Sequence, residues 1–171
     1  LVERSQFHLV QAMQLDPSPD LSAPLLRDLG ISCLQTGRYR EAEKFFVRLR
    51  EHEDYSATAR FNLGLVAYQL GKYKNAIQHL RQYARDRPDD GRVHTRMALC
   101  HLQLGDTAHA REAATRALLA NGDDILARYT LGCAWLEEGH ANEALGVFKE
   151  TLQTHPEHMP SYIELARTRR T

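Results

Sequence analysis

Gly37, Gly71, Gly105 and Gly139 stand 34 residues apart, and that interval constrains the fold more than any other feature of the chain. Self-similarity at a period of roughly 20–50 residues marks a stack of repeated supersecondary units rather than a single compact core. Other columns keep the same register. Ala42, Ala76, Ala110 and Ala144 form one, and Gly30, Gly64, Ala98 and Gly132 another. Leu29, Leu63, Met97 and Leu131 run just ahead of the second, and Phe46, Leu80, Ala114 and Phe148 make a fourth. Tyr39 and Tyr73 begin a column that fades to Thr107 and Ala141, while Pro88 and Pro156 alternate with Asp54 and Gly122.

Each column has a physical task. A tiny side chain at Gly30 and its equivalents lets two helix axes approach, and the Ala42 column does the same from the facing helix. The Gly37 column lies between two apolar-periodic stretches, where a helix ends in the left-handed conformation and turns. Pro88 and Pro156 stop a helical ladder, and Ser56, Asp90 and Asp124 offer oxygens to the first free amides of the next helix. The spacing therefore predicts helices over 23–36 and 39–51, 57–70 and 73–86, 91–104 and 107–120, and 125–138 and 141–154. Residues 3–15 match the second helix of a pair, with Leu9, Ala12 and Pro17 in the places of Leu80, Tyr83 and Pro88. Residues 159–168 match a first helix through Leu165 and Ala166. The Pro-rich join after Asp16 is three residues too long for the period and predicts a stiff, longer loop.

The pattern of Leu-Gly, then Gly-x-Tyr, then Ala, Phe and Pro at one 34-residue period resembles the tetratricopeptide-repeat (TPR) family. The second repeat matches best and the third least, having lost its Tyr and Pro. The resemblance implies an all-α, right-handed α-solenoid of antiparallel helix pairs, a TPR superhelix. It would hold four full repeats, 23–56, 57–90, 91–124 and 125–158, with a half repeat 1–22 before them and a terminal helix within 159–171. Two half units fit either a piece of a longer array or an array capped by helices that left the consensus, and both imply polar outer ends. Arg167, Arg169 and Arg170 supply one such end as cations near a helix C-terminus.

Composition narrows the function. Lys plus Arg and Asp plus Glu both number 22, so the chain lacks the basic footprint of a nucleic-acid binder. No apolar run approaches about 18 residues, so no membrane insertion is expected. Three widely spaced cysteines, Cys33, Cys100 and Cys133, fit neither a disulfide framework nor a zinc site. Each falls in an apolar helical pattern, as a reduced core thiol would, which points toward a reducing compartment. The chain opens at Leu1 without an initiator methionine, consistent with a targeting segment lying outside it.

In a TPR stack the first helix of each pair lines the concave side, and the resemblance places a peptide-binding groove there. One helical stripe carries Arg27, Ile31, Leu34 and Gln35, then Phe61, Leu65, Tyr68 and Gln69. It continues with Arg92, Thr95, Leu99, Leu102 and Gln103, then Leu126, Tyr129, Cys133, Leu136 and Glu137. Gln35, Gln69, Gln103 and Glu137 stand 34 apart, a ladder suited to an extended peptide whose own amides need partners, though also to a plain helix surface. Phe61, Tyr68 and Tyr129 are residue types enriched at interface hot spots, and equally able to pack on the next helix. Some TPR co-chaperones clamp a C-terminal carboxylate, and by place Arg27, Asn62, Arg92 and Arg96 match that clamp, with Ile31 where asparagine is expected. Arginine would bind such a carboxylate bidentately, or simply form a solvated rim. Trp135 shares the column of Cys33, Ala67 and His101 and is expected in the core.

Catalytic and cofactor chemistry finds no support. His155-Pro156-Glu157-His158 is the closest cluster among nine histidines, but proline interrupts it and no partner ligand follows. His94 and His101 lie two turns apart without a carboxylate between them. No glycine-rich loop follows a strand, and no serine sits in a nucleophile elbow. The expectation is a non-catalytic protein–protein interaction scaffold, without metal or cofactor, binding a protein or peptide. Two alternatives stay open: homo-oligomerisation through the end faces at Val2–Leu15 or Ile163–Leu165, and a substrate-recruiting region of a larger enzyme.

Overall fold

A computed structural model describes residues 21–168 of the chain. The proposed helix 3–15, the Pro-rich join up to Asp20, and Arg169 and Arg170 lie outside the described residues. The described part is all-α, with nine α-helices and no strand among the described residues. In chain order these are α1 Ala23–Gln35, α2 Tyr39–Leu49, α3 Ser56–Gln69, α4 Tyr73–Asp86 and α5 Gly91–Gln103. They continue with α6 Thr107–Ala120, α7 Ile125–Glu137, α8 Ala141–Thr154 and α9 Met159–Thr168. The chain divides into two compact units, one running to Tyr83 and the other starting at Ala84.

The same device closes all four tight turns. Gly37, Gly71, Gly105 and Gly139 take φ of 74°, 71°, 70° and 82°, the left-handed region. Two residues of cap chemistry follow from it. The amide after each glycine donates back across the turn, Arg38 to the Cys33 carbonyl at 2.8 Å, Lys72 to Ala67 at 2.8 Å, Asp106 to His101 at 2.9 Å and His140 to Trp135 at 2.9 Å. Each glycine amide donates to the carbonyl three residues earlier, completing a Schellman motif. An added Cβ at these four positions would meet nothing within 4 Å, so glycine is needed there for its backbone and not for space.

The close-approach column works in the opposite way. A Cβ at Gly30 would lie 2.6 Å from Phe46 Cε1, and one at Gly132 would lie 2.5 Å from Phe148 Cε1. Each ring drops into the notch that glycine leaves in the partner helix. In the first unit Leu26, Leu29, Cys33, Phe45, Phe46, Leu49, Leu63 and Val66 form the core around that contact. In the second unit α6 buries only alanines, Ala110, Ala113, Ala114 and Ala117, against α5 and α7.

Helix starts agree with expectation at Asp90 and Asp124, whose carboxylates accept the backbone N–H of Arg92 at 3.1 Å and of Ala127 at 2.9 Å. Ser56 is not a cap. It is the first residue of α3, and the short 3-10 turn Glu53–Tyr55 leads directly into the helix. Within this turn the backbone amide of Tyr55 donates to the His52 carbonyl at 3.0 Å.

Candidate functional site

In the second unit the first helices touch one another in succession, α5 with α7 and α7 with α9, and in the first unit α1 touches α3. Each unit therefore has a wall made of first helices. Gln35 and Gln69 are exposed on the first unit's wall, and Gln103 and Glu137 on the second's.

The aromatic members of the stripe are turned partly inward. Phe61 packs on Tyr83 with ring centroids 5.0 Å apart, and Tyr68 on Tyr73 at 5.5 Å, each a contact with the second helix of its own pair. Both are half-buried, as is Leu65. Tyr129 lies against Phe148 at 6.0 Å and against His158 at 5.5 Å, edge-on. Its hydroxyl also shares a hydrogen bond with Cys133. These rings fix helix spacing and leave only an edge to a guest.

The basic residues matched to a carboxylate clamp have near neighbours of opposite charge. Arg27 pairs with Asp28 at 2.9 Å. Arg92 reaches its own N-cap, donating to Asp90 Oδ1 at 2.9 Å and Oδ2 at 2.7 Å in the bidentate geometry that a peptide carboxylate would otherwise use. Asn62 donates from Nδ2 to the Thr58 carbonyl at 2.9 Å, one turn back on α3. Arg96 is half-buried on the second unit's wall.

The three thiols are free, Cys33 and Cys100 buried and Cys133 half-buried. Loss of solvation raises all three above the usual thiol value, Cys100 to about 12 and Cys133 to about 11, so each stays protonated and poorly nucleophilic. Trp135 is half-buried rather than enclosed in the core. The Arg111 guanidinium covers its ring at 4.0 Å, and His140 meets it edge-on at 5.2 Å. A side chain this large overfills a column built for Cys33 and Ala67, and a flat cation closes the remaining side.

His155 and His158 do not converge. His155 Nε2 stands 4.0 Å from Asp123, while His158 Nδ1 is 2.8 Å from the Ser161 hydroxyl. The convergence lies elsewhere, where His101, Asp106 and His109 meet at the turn between α5 and α6. Sequence reasoning sought a carboxylate between His94 and His101, whereas the carboxylate comes five residues after His101, across the Gly105 turn. The available signal was an aspartate at a helix start with a histidine three residues on.

Among the described residues, no helix is long and apolar enough to cross a membrane. Comparison with known proteins gives a consistent picture. The chain is 34% identical over 103 residues to the BBSome complex member BBS4 of Xenopus tropicalis, a match covering 58% of this chain and 20% of that protein. The chain spans about one fifth of the length of the curated relatives it matches. Among solved structures, MamA from Desulfovibrio magneticus RS-1 superposes with a TM-score of 0.79 at 20% identity, covering 85% of this chain and 82% of that one. The second TPR domain of human RPAP3, solved in complex with the HSP70 peptide SGPTIEEVD, gives a TM-score of 0.63 at 23% identity over 66% of this chain and 94% of that one. At these identities the likeness is one of fold. Models of the tetratricopeptide repeat match residues 27–91 and 67–131, in step with the glycine turns and ring-in-notch contacts described above, and the chain belongs to the tetratricopeptide-repeat family.

Proposed function

We propose that this chain is a non-catalytic protein-interaction module that holds a peptide or a partner helix against the walls of its first helices. The observation that carries the proposal is the succession α5, α7, α9, which lines Gln103 and Glu137 along one solvent-facing wall of the second unit. Exposed Gln103 and Glu137 put an amide and a carboxylate on that wall, and Arg96 supplies a positive charge beside them. The first unit offers Gln35 and Gln69 in the same way, with the edges of Phe61, Tyr68 and Leu65 as apolar surface. The RPAP3 domains solved with the HSP70 peptide SGPTIEEVD and the HSP90 peptide SRMEEVD support peptide capture by this fold. Clamping of a free C-terminus is the weaker form of the proposal, because Arg27 and Arg92 already hold Asp28 and Asp90.

The test begins with peptides selected from a random display library on the intact chain. Their affinities are then measured for the parent, Arg96→Ala, Gln103→Ala and Leu119→Ala, the last an 83%-exposed side chain on a second helix. The first two substitutions weaken binding by more than about fivefold, the scale of an interface residue worth ~1 kcal/mol, and Leu119→Ala leaves it unchanged. The reverse pattern assigns binding to the other face and ends the proposal. Titrating SRMEEVD with free and amidated termini isolates the clamp, since equal affinities exclude it.

Self-assembly has an observation of its own. On α9 Met159, Tyr162 and Ile163 are 63%, 44% and 50% exposed, an apolar surface at the end of the second unit. Light scattering across concentration distinguishes this reading, and a strictly monomeric species removes it.

A further inference from the structure

The turn between α5 and α6 carries a constellation that the other turns lack. Asp106 places its carboxylate between two imidazoles, with Oδ2 3.0 Å from His101 Nδ1 and Oδ1 2.8 Å from His109 Nδ1. The rings stack at 5.1 Å with 21° between their planes. One ligand atom from each of the three residues lies within 4.8 Å of the other two. We propose that His101, Asp106 and His109 form a binding site for a divalent transition-metal ion of the zinc class.

Two lines of chemistry support this assignment. Two neutral imidazole nitrogens with one carboxylate oxygen form a donor set for zinc, nickel or copper, whereas magnesium and calcium prefer oxygen alone. Zinc bonds to such atoms at roughly 2.0–2.2 Å, which sets them about 3.3 Å apart around a tetrahedral ion. The 2.8 Å and 3.0 Å separations widen slightly, and ligand atoms now within 4.8 Å of one another draw in around the ion, once metal replaces the protons on the two nitrogens.

Support and access are also divided as a site requires. The His101 side chain is 7% exposed and set by the last turn of α5, while Asp106 is held as the N-cap of α6, accepting the His109 backbone N–H at 3.4 Å. His109, 58% exposed on the first turn of α6, opens the cluster to solvent, from which an ion arrives. The Gly105 turn brings these positions together, and the equivalents at the other turns carry no such set. They are Cys33, Arg38 and Glu41 in the first repeat, Ala67, Lys72 and Asn75 in the second, and Trp135, His140 and Glu143 in the fourth. Bound metal would staple the end of α5 to the start of α6, leaving a fourth coordination position to water.

Zinc chloride titrated calorimetrically into the intact chain at pH 7.5 tests the site. One equivalent binds, and the thermal midpoint rises with zinc and returns when a chelator is added. Cobalt chloride gives the visible absorption of a low-symmetry four-coordinate ion. His109→Ala and Asp106→Asn each weaken zinc binding by more than about tenfold, at least the loss that outer partners of metal ligands produce. Asparagine preserves the helix cap, so Asp106→Asn separates ligation from folding, and far-ultraviolet circular dichroism confirms that both variants are folded. His155→Ala binds like the parent. Equal zinc affinity in the parent and His109→Ala, loss in His155→Ala instead, or no heat of binding in the parent overturns the proposal.

Discussion

The third and fourth repeats lie in one compact unit and share a backbone period, yet they are held together differently. The fourth packs around one ring: Phe148 is fully buried in the notch at Gly132, with Tyr129 against its side. The third places Ala98 opposite Ala114 and fills the surroundings with Ala113, Met97 and Leu131. Polar links take up what the missing ring would have fixed. The Thr95 hydroxyl donates to the Asp124 carboxylate at 2.6 Å, tying α5 to the cap of α7. Arg128 of the fourth repeat, only 9% exposed, donates to the Gly122 carbonyl at the end of the third. Departure from the family pattern is therefore a change in how the repeat is fastened. Stability is concentrated in one side chain in the fourth repeat and dispersed in the third.

Truncating the ring is the strongest way to break that contrast. Phe148→Ala lowers the unfolding free energy by about 3–5 kcal/mol, whereas Ala114→Gly at the equivalent place loses only about 1 kcal/mol from helix propensity. Similar losses in urea titrations of the two would show that the ring is not what holds the fourth repeat. Filling the notch comes next. Gly132→Ala forces a Cβ to 2.5 Å from the ring and destabilises by about 1–3 kcal/mol. The Gly132→Ala, Phe148→Leu pair regains part of that, and simple additivity in the double-mutant cycle would mean that the two positions are not coupled.

Arg111→Gln sharpens the comparison from the junction between the two repeats. It removes the cation over Trp135 and costs about 0.5–1 kcal/mol. As Trp135 is the single tryptophan, its fluorescence shifts to longer wavelength as water reaches the ring, and an unchanged spectrum contradicts the stacking. Acid separates the repeats by the smallest effect. Burial lowers His158 below its ordinary 6.5, so the unfolded chain binds more protons and stability falls as pH drops through about 6.5. Asp106 is held below its ordinary 3.8, so its contribution is present above that value and is lost only as pH falls further, through its folded-state value. His158→Gln flattens the upper part of the acid-unfolding profile and Asp106→Asn the lower; the opposite assignment would contradict both environments.

Much of this was legible because spacing alone fixes it. The helix bounds, the four left-handed glycines, the caps at Asp90 and Asp124, and the notch opposite Phe148 all follow from residues recurring in one register. What periodicity does not encode is side-chain direction. Phe61 and Tyr68 fall on the stripe assigned to a guest, but their rings lean onto Tyr83 and Tyr73. Charges next in sequence to Arg27 and Arg92 decide those arginines' partners, and a count by repeat position passes over such neighbours. Ser56 is unlike Asp90 and Asp124 because the 3-10 turn Glu53–Tyr55 runs directly into its helix. The His101 and Asp106 pairing was hidden for a related reason, since it joins two elements across a reversal instead of along one face.

The left-handed backbone of the four turn glycines suits these corners to mirror-image chemistry. Their φ of 70–82° is unfavourable for an L-residue and favourable for a D-residue. Semisynthetic D-alanine at Gly105 or Gly139 would keep the corner while stiffening the unfolded chain, a gain of about 0.4–1 kcal/mol per site. Each bend is thus an exchangeable joint, defined by handedness alone.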